Sequence, residues 1–323
     1  APQLPPLRSK SSLGASTLSS SLDEACYNTV RNAYSQSQDS ESADHAERIF
    51  SAMDNQTPLH VAVKDHIVSL VNEGESSQSP VFTIVPPRAD ITSFGSMINC
   101  YCKHGAVSKA EDLLDGMHEA YMPNAACYLP VLQALEKSEE ANVPDRVLSW
   151  IERSEFSHKP NRLLYTSALR CLRNHGRGEE AEAILYDYDG AFRPQSRGGP
   201  DVYSHMLVLR AWEKTKPKAE RPAAAQRAKD FFDLMQEKVK ENILPTLDVS
   251  AYNILLNCYA RAGDAEKAEQ MLEDLEAGTA GPAESNATLV RPNSKSYSYA
   301  IKALANSNAS DAMDRAWRIL HRL

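Results

Sequence analysis

No run in this chain of 323 residues approaches the ~20 consecutive apolar residues that a membrane-spanning helix needs. A transmembrane span is therefore excluded, and a soluble, mostly helical chain is expected. Cysteine is scarce and poorly spaced for metal. The six present, Cys26, Cys100, Cys102, Cys127, Cys171 and Cys258, form no Cys-x-x-Cys pair and have no histidine partners at zinc-finger distances. Three of them (Cys100, Cys171, Cys258) follow an aromatic position by six residues, which suits small core residues. No metal and no cofactor are expected. Acid is missing from the first 22 residues, which hold Ser, Leu and Pro with Arg8 and Lys10. Such a segment cannot build a core and is expected to be disordered. Its composition also suits the remnant of an organellar presequence.

What the chain does have is a repeat. Phe94 to Ala110, Tyr165 to Ala181 and Tyr252 to Ala268 overlay directly, with a glycine eleven positions after the aromatic (Gly105, Gly176, Gly263) and an alanine at sixteen. Two short helices joined by a tight turn require such spacing, because the turn takes a left-handed glycine and the crossing takes a small side chain. The register extends to seven units, whose aromatic position holds Tyr27, Phe94, Tyr128, Tyr165, His205, Tyr252 and Tyr297. The predicted fold is all-α, an α-solenoid of about seven helix-turn-helix units over 23–323, with no sheet. Clusters of Pro, Gly and Ser at 190–199 and 277–292 read as loops. Residues 54–90 hold either an eroded repeat or an insertion around Gly74 to Pro87. The insertion, disordered, is favoured because no aromatic-to-glycine spacing survives there.

The units resemble the pentatricopeptide repeat family. The resemblance rests on Lys103-His104-Gly105, on a terminal hydrophobe at Met53, Met117, Met235 and Leu275, and on the closing pairs Pro123-Asn124, Pro160-Asn161, Pro200-Asp201 and Pro292-Asn293. It covers roughly 24–323. Tetratricopeptide repeats have a similar period but expect a Leu-Gly pair inside the first helix, and no unit here has one.

The resemblance implies that the residue after each aromatic and the residue closing the unit together read one base of a single-stranded RNA. The matching pairs are Asn28 with Asp90, Gly95 with Asn124, Leu129 with Asn161, Thr166 with Asp201, Met206 with Asp248, and Asn253 with Asn293; Ser298 begins a further pair. Asn with Asp implies uracil, Thr with Asp guanine, and Asn with Asn a pyrimidine. Gly95, Leu129 and Met206 offer no side-chain hydrogen bond. Of the residues two before each aromatic, only Leu163 and Tyr203 present much surface on which a base could lie.

A formal net charge of −8 opposes a phosphate ligand, but its distribution does not. The seven first helices carry eleven Lys or Arg and three Glu, whereas residues 264–278 hold six acids against Lys267 alone. Nine residues after the aromatic stand Lys103, Lys137, Lys214 and Arg261. They suit a row of phosphate contacts, and equally the preference of a helix C-terminus for cations. Some members of the resembled family carry deaminase-like or nuclease domains, yet no His-x-Glu with a following Cys-x-x-Cys is present, and the histidines stand singly. The expectation is a non-enzymatic binder of single-stranded RNA, in organellar RNA processing, stability or translation in a mitochondrion or chloroplast. The alternative is a scaffold whose groove holds a protein partner.

Overall fold

The computed structural model describes residue 28 and residues 42–55, 59–64, 67–71, 81–84, 86, 88–120, 123–138, 140–152, 162–191, 199–279 and 290–322. The expected disordered tail at 1–22, the centres of the two expected loops and Asn161 lie outside them. The chain divides into two compact units, Ala1–Ala134 and Leu135–Leu323.

The first unit contains α1 (Ser42–Asn55), β1 (Leu59–Lys64), β2 (Ile67–Val71), β3 (Val81–Ile84), α2 (Ile91–Lys103), α3 (Val107–Ala120) and α4 (Ala125–Leu135), whose last residue opens the second unit. The strands correct the expectation of no sheet, and β3 falls within the expected insertion around Gly74 to Pro87, of which 74–80 lie outside the described residues. The strands form an antiparallel sheet in the order β2-β1-β3, with Val61 opposite Leu70 on one side and Phe82 on the other. The strand residues explain this, since Val61, Val63, Ile67, Val68, Val71, Val81, Phe82, Thr83 and Ile84 are the β-branched and aromatic types that favour a pleated surface.

The second unit contains α5 (Val143–Glu152), α6 (Arg162–His175), α7 (Gly178–Ala191), α8 (Val202–Glu213), α9 (Arg221–Lys240), α10 (Val249–Ala262), α11 (Ala265–Ala277), α12 (Ser294–Asn306) and α13 (Ala312–Leu320). First helices pack on first helices, α6 on α8, α8 on α10 and α10 on α12, while each of α7, α9 and α11 packs against the first helices on either side of it. The helical-repeat expectation holds in both units, with α2/α3 the hairpin of the first.

The physical causes of the repeat are visible at each of its markers. Gly105, Gly176 and Gly263 adopt φ of 77°, 71° and 75°, the left-handed region that ends a helix cheaply only in glycine. Ala110, Ala181 and Ala268 are fully buried, as are Met53, Met117, Met235 and Leu275. The aromatic position packs against second helices: Phe94 meets Phe50 edge-on at 4.9 Å, Tyr165 stacks on Tyr188 at 4.7 Å, and Tyr252 meets Phe232 edge-on at 5.0 Å. Cys100, Cys127, Cys171 and Cys258 are buried and free of disulfides. Burial pushes the Cys171 thiol up to about 12, the behaviour of a core residue and not of a reactive thiolate.

Candidate functional site

Among the described residues, the one that closes a unit is the N-cap of the next first helix. Asp90 accepts from the Ser93 backbone N–H at 2.6 Å, Asp201 from that of Ser204 at 2.9 Å, and Asp248 from those of Ser250 and Ala251 at 3.0 and 3.3 Å. Asn293 accepts from Lys295 and Ser296, and Asn124 from Ala126. Each side-chain oxygen thus satisfies a backbone donor that a helix start leaves unpaired. Asp90 shows the electrostatic result. Burial would raise its carboxyl, but the hydrogen bonds from Ser93 and Thr92 hold it below its usual value.

In one unit capping places this residue beside the position that follows the aromatic. Asn253 Nδ2 donates to Asn293 Oδ1 at 3.2 Å, across 40 residues of sequence. In the unit before Asp201, the Thr166 hydroxyl donates to the Arg162 carbonyl at 2.7 Å and keeps its lone pairs outward. Asp201 Oδ1 also accepts from the Ser204 hydroxyl, and Oδ2 is paired with the Arg162 guanidinium. The Ser298 hydroxyl turns back on the Ser294 carbonyl as Thr166 does. Asn28 is buried, and its Oδ1 accepts from the Ser93 hydroxyl at 3.0 Å. Leu163 is 60% exposed and Tyr203 44%, as flanking surfaces require. Arg170 lies over the Tyr203 ring, 5.6 Å from its centroid, and its Nε donates to the phenol oxygen at 3.1 Å.

The four cations differ from one another. Lys103 and Lys137 are exposed and make no ion pair among the described residues. Lys214 is exposed, with Nζ 3.4 Å from Asn174 Oδ1. Partial burial lowers its pKa, and Arg173, Arg210 and Arg261 nearby lower it further. Arg261 is half-buried and donates to the Thr215 carbonyl of the preceding unit at 2.9 Å. Where the same place holds asparagine, the amide does similar work: Asn174 donates to the Glu136 carbonyl and Asn306 to the Ala260 carbonyl, both at 2.7 Å. At Asn174, Arg261 and Asn306 this position joins consecutive first helices. Cation spacing alone could not separate that role from solvent exposure.

Sequence reasoning also set aside a place that the structure shapes well. Between α2 and α4 lies a cleft of about 510 Å³, lined by Gly95, Ser96, Asn99 and Lys103 on one side and by Asn124, Leu129 and Gln133 on the other. The glycine after Phe94 leaves it open: a Cβ there would meet only Cys127 Sγ at 3.6 Å and the Ala126 carbonyl at 3.9 Å. Polar residues five after the aromatic (Asn99, Gln133, Arg170, Arg210, Asn257, Lys302) were the available signal. Among the described residues no helix is long and apolar enough to cross a membrane, and no group of three or more His, Cys, Asp or Glu could hold a metal ion.

Residues 92–121 and 250–277, the hairpins α2/α3 and α10/α11, match the family model of the PPR repeat. No curated protein matches the chain in sequence. Among solved structures it is similar to the pentatricopeptide repeat protein PPR10 in complex with an 18-nt psaJ RNA element, at 18% identity and a TM-score of 0.52, over 93% of this chain and 35% of that one. A cysteine-substituted form of PPR10 with the same RNA element gives the same values. The chain therefore spans about a third of the length of the structures it matches. The matched PPR repeats thus coincide with two helix hairpins, and the fold that contains them is similar to that of PPR10.

Proposed function

We propose that the chain binds single-stranded RNA along its first helices, one base to a unit, and performs no chemistry on it. The observation that carries this reading is the meeting of Asn253 and Asn293 at 3.2 Å. Two residues singled out by their places in the repeat stand side by side with hydrogen-bonding capacity left over. Thr166 and Asp201 present acceptors, since the Thr proton is already donated, and this suits the N1–H and N2–H₂ donors of guanine. Leu163 and Tyr203 provide faces for stacking, and Arg170 over Tyr203 supplies a cation at the same place. Lys103, Lys137 and Lys214 supply phosphate contacts. Asp90 with Asn28 and the unit begun by Ser298 complete the readers. The likeness to PPR10, solved with an RNA element, supports the ligand class, and the Ser-rich, acid-free N-terminus supports an organellar setting for RNA processing, stability or translation.

The test is fluorescence anisotropy of the full chain with labelled single-stranded RNA pools over a range of salt. Affinity is expected to fall with salt at a slope of about −0.7 per phosphate contacted. Changing Lys103, Lys137 and Lys214 together to Glu is expected to weaken every RNA alike, by about tenfold or more. Arg261 is left unchanged because it holds Thr215. Binding unaffected by salt or by the triple variant refutes phosphate contact at these residues. No RNA binding at low salt leaves the first helices to a protein partner.

A further inference from the structure

We infer that the buried serine Ser296 orients the neighbouring base-reading asparagine, so that Asn253 shows RNA its amide N–H₂ and not its oxygen. The inference rests on the RNA-binding reading above, and its structural half can be measured without RNA.

Ser296 is wholly buried at the third position of its unit. Its oxygen accepts the Asn293 backbone N–H at 3.1 Å, and its proton has Asn253 Oδ1 at 2.7 Å, closer than Asn293 Oδ1 at 3.4 Å. The other end of the amide gives the same answer. Asn293 Oδ1 accepts two backbone N–H groups at the helix start and must be the carbonyl oxygen. The Asn253 atom 3.2 Å from it is therefore the nitrogen. An amide's orientation is assigned from its hydrogen-bond network, and here two contacts of opposite polarity agree. The contact at the oxygen is buried and cannot be exchanged for bulk water, whereas that at the nitrogen is only partly buried. In the first unit of the chain the wholly buried Ser93 donates to Asn28 Oδ1 in the same way, at 3.0 Å.

The repeat carries this pairing throughout. Where the residue after the aromatic is polar, the third residue of the next unit is serine: Asn28 with Ser93, Thr166 with Ser204, Asn253 with Ser296. Where it is apolar or glycine, the third residue lacks a hydroxyl: Gly95 with Cys127, Leu129 with Leu164, Met206 with Ala251. A buried hydroxyl without a partner is unfavourable, and these serines find theirs in Asn28, Asp201 and Asn253. The consequence is chemical. With both oxygens of the Asn253–Asn293 pair engaged, the pair offers donors alone. Cytosine presents adjacent acceptors, N3 and O2, to match two donors, whereas uracil turns its own N3–H against one of them.

The experiment captures a randomised pool of short single-stranded RNAs on the full parent chain, on Ser296→Ala and on Ser204→Ala, and sequences what is retained. Side-chain amide NMR of Asn253 is recorded on the same proteins without RNA. The parent is expected to enrich cytosine over uracil at one nucleotide by about tenfold, one hydrogen bond's worth of discrimination. Ser296→Ala is expected to bring that ratio close to one while leaving the other positions enriched, and to shift and speed the exchange of the Asn253 amide protons. Ser204→Ala, whose hydroxyl serves Asp201, is expected to leave both readouts at Asn253 unchanged. Identical base rankings for the parent and Ser296→Ala overturn the inference, as does a parent without preference at that nucleotide. If the parent retains no RNA, the proposed function fails. The NMR then decides the serine's role, and Asn253 resonances unmoved by Ser296→Ala overturn it.

Discussion

Gly105, Gly176 and Gly263 share one backbone conformation but not one environment, and alanine substitution separates the two. At all three the new Cβ sits in the left-handed region, which disfavours an L-residue by about 1–2 kcal/mol. At Gly105 nothing lies within 4 Å of the added carbon, and the effect ends there. At Gly176 the carbon would stand 2.5 Å from the Lys214 carbonyl oxygen, and at Gly263 2.7 Å from that of Asn306. Both neighbours are backbone atoms at the end of the next first helix, so relief requires α8 or α12 to move outward. Overpacking of this kind adds about 1–3 kcal/mol. The expectation is a loss of about 1–2 kcal/mol for Gly105→Ala and about 2–5 for the other two. Hydrogen exchange resolved by peptide is the suitable assay, because it reads the opening of each helix where a melting curve would merge the two units. Protection is expected to fall most in α6–α8 for Gly176→Ala and in α10–α12 for Gly263→Ala. Equal losses at all three glycines would refute the claim that backbone approach between repeats, and not φ alone, selects them.

Arg261→Ala is expected to destabilise α8–α10 by about 1–2 kcal/mol by leaving the Thr215 carbonyl without its donor. Lys103→Ala, at the same place in another unit, is expected to stay within about 0.5 kcal/mol of the parent by the same exchange measurement. Burial holds the His205 imidazole below its usual pKa of 6.5, and the Lys238 ammonium 3.3 Å from Nε2 adds to this against Asp189 and Asp201. The folded chain thus binds fewer protons there than the unfolded one. Stability is full above 6.5 and falls as the pH drops through 6.5 towards the lowered value. His205→Tyr, the residue at that place in most other units, is expected to flatten the dependence of the melting temperature on pH in this range; an unchanged slope assigns it to other groups.

Much of this architecture was legible because the repeat writes one physical requirement at one spacing. The left-handed turn needs Gly176 or Gly263, the helix crossing needs Ala181 or Ala268, and the helix start needs Asp201 or Asn293. Each recurs where the local rule demands it. The sheet was missed although Leu59 to Val71 is rich in β-branched residues, because it falls between repeats, where the register gives no guidance. Its pairing of β1 with β3 also spans a stretch of no regular composition. The joining role of Arg261, Asn174 and Asn306 was hidden for a related reason. Their partners lie 38 to 46 residues away, across insertions of unequal length, so only folding brings donor and carbonyl together. The places proposed to read bases were legible as positions, but the direction in which each side chain points its donors was not. That depends on third-position serines, whose meaning appears only beside the preceding unit.

The capping role of the unit-closing residues limits how this protein could be recoded for other targets. Asp90, Asp201, Asp248, Asn293 and Asn124 each begin a helix, and helix starts accept few side chains in that role, chiefly Asp, Asn, Ser and Thr. Any other letter at the end of a unit loosens the helix that follows, typically by ~1 kcal/mol, before it touches a ligand. The position after the aromatic begins no helix and bears no such limit, and it ranges over Asn, Gly, Leu, Thr, Met and Ser. In the proposed readers, variation is therefore wide at the place after the aromatic and confined to a short alphabet at the unit-closing place.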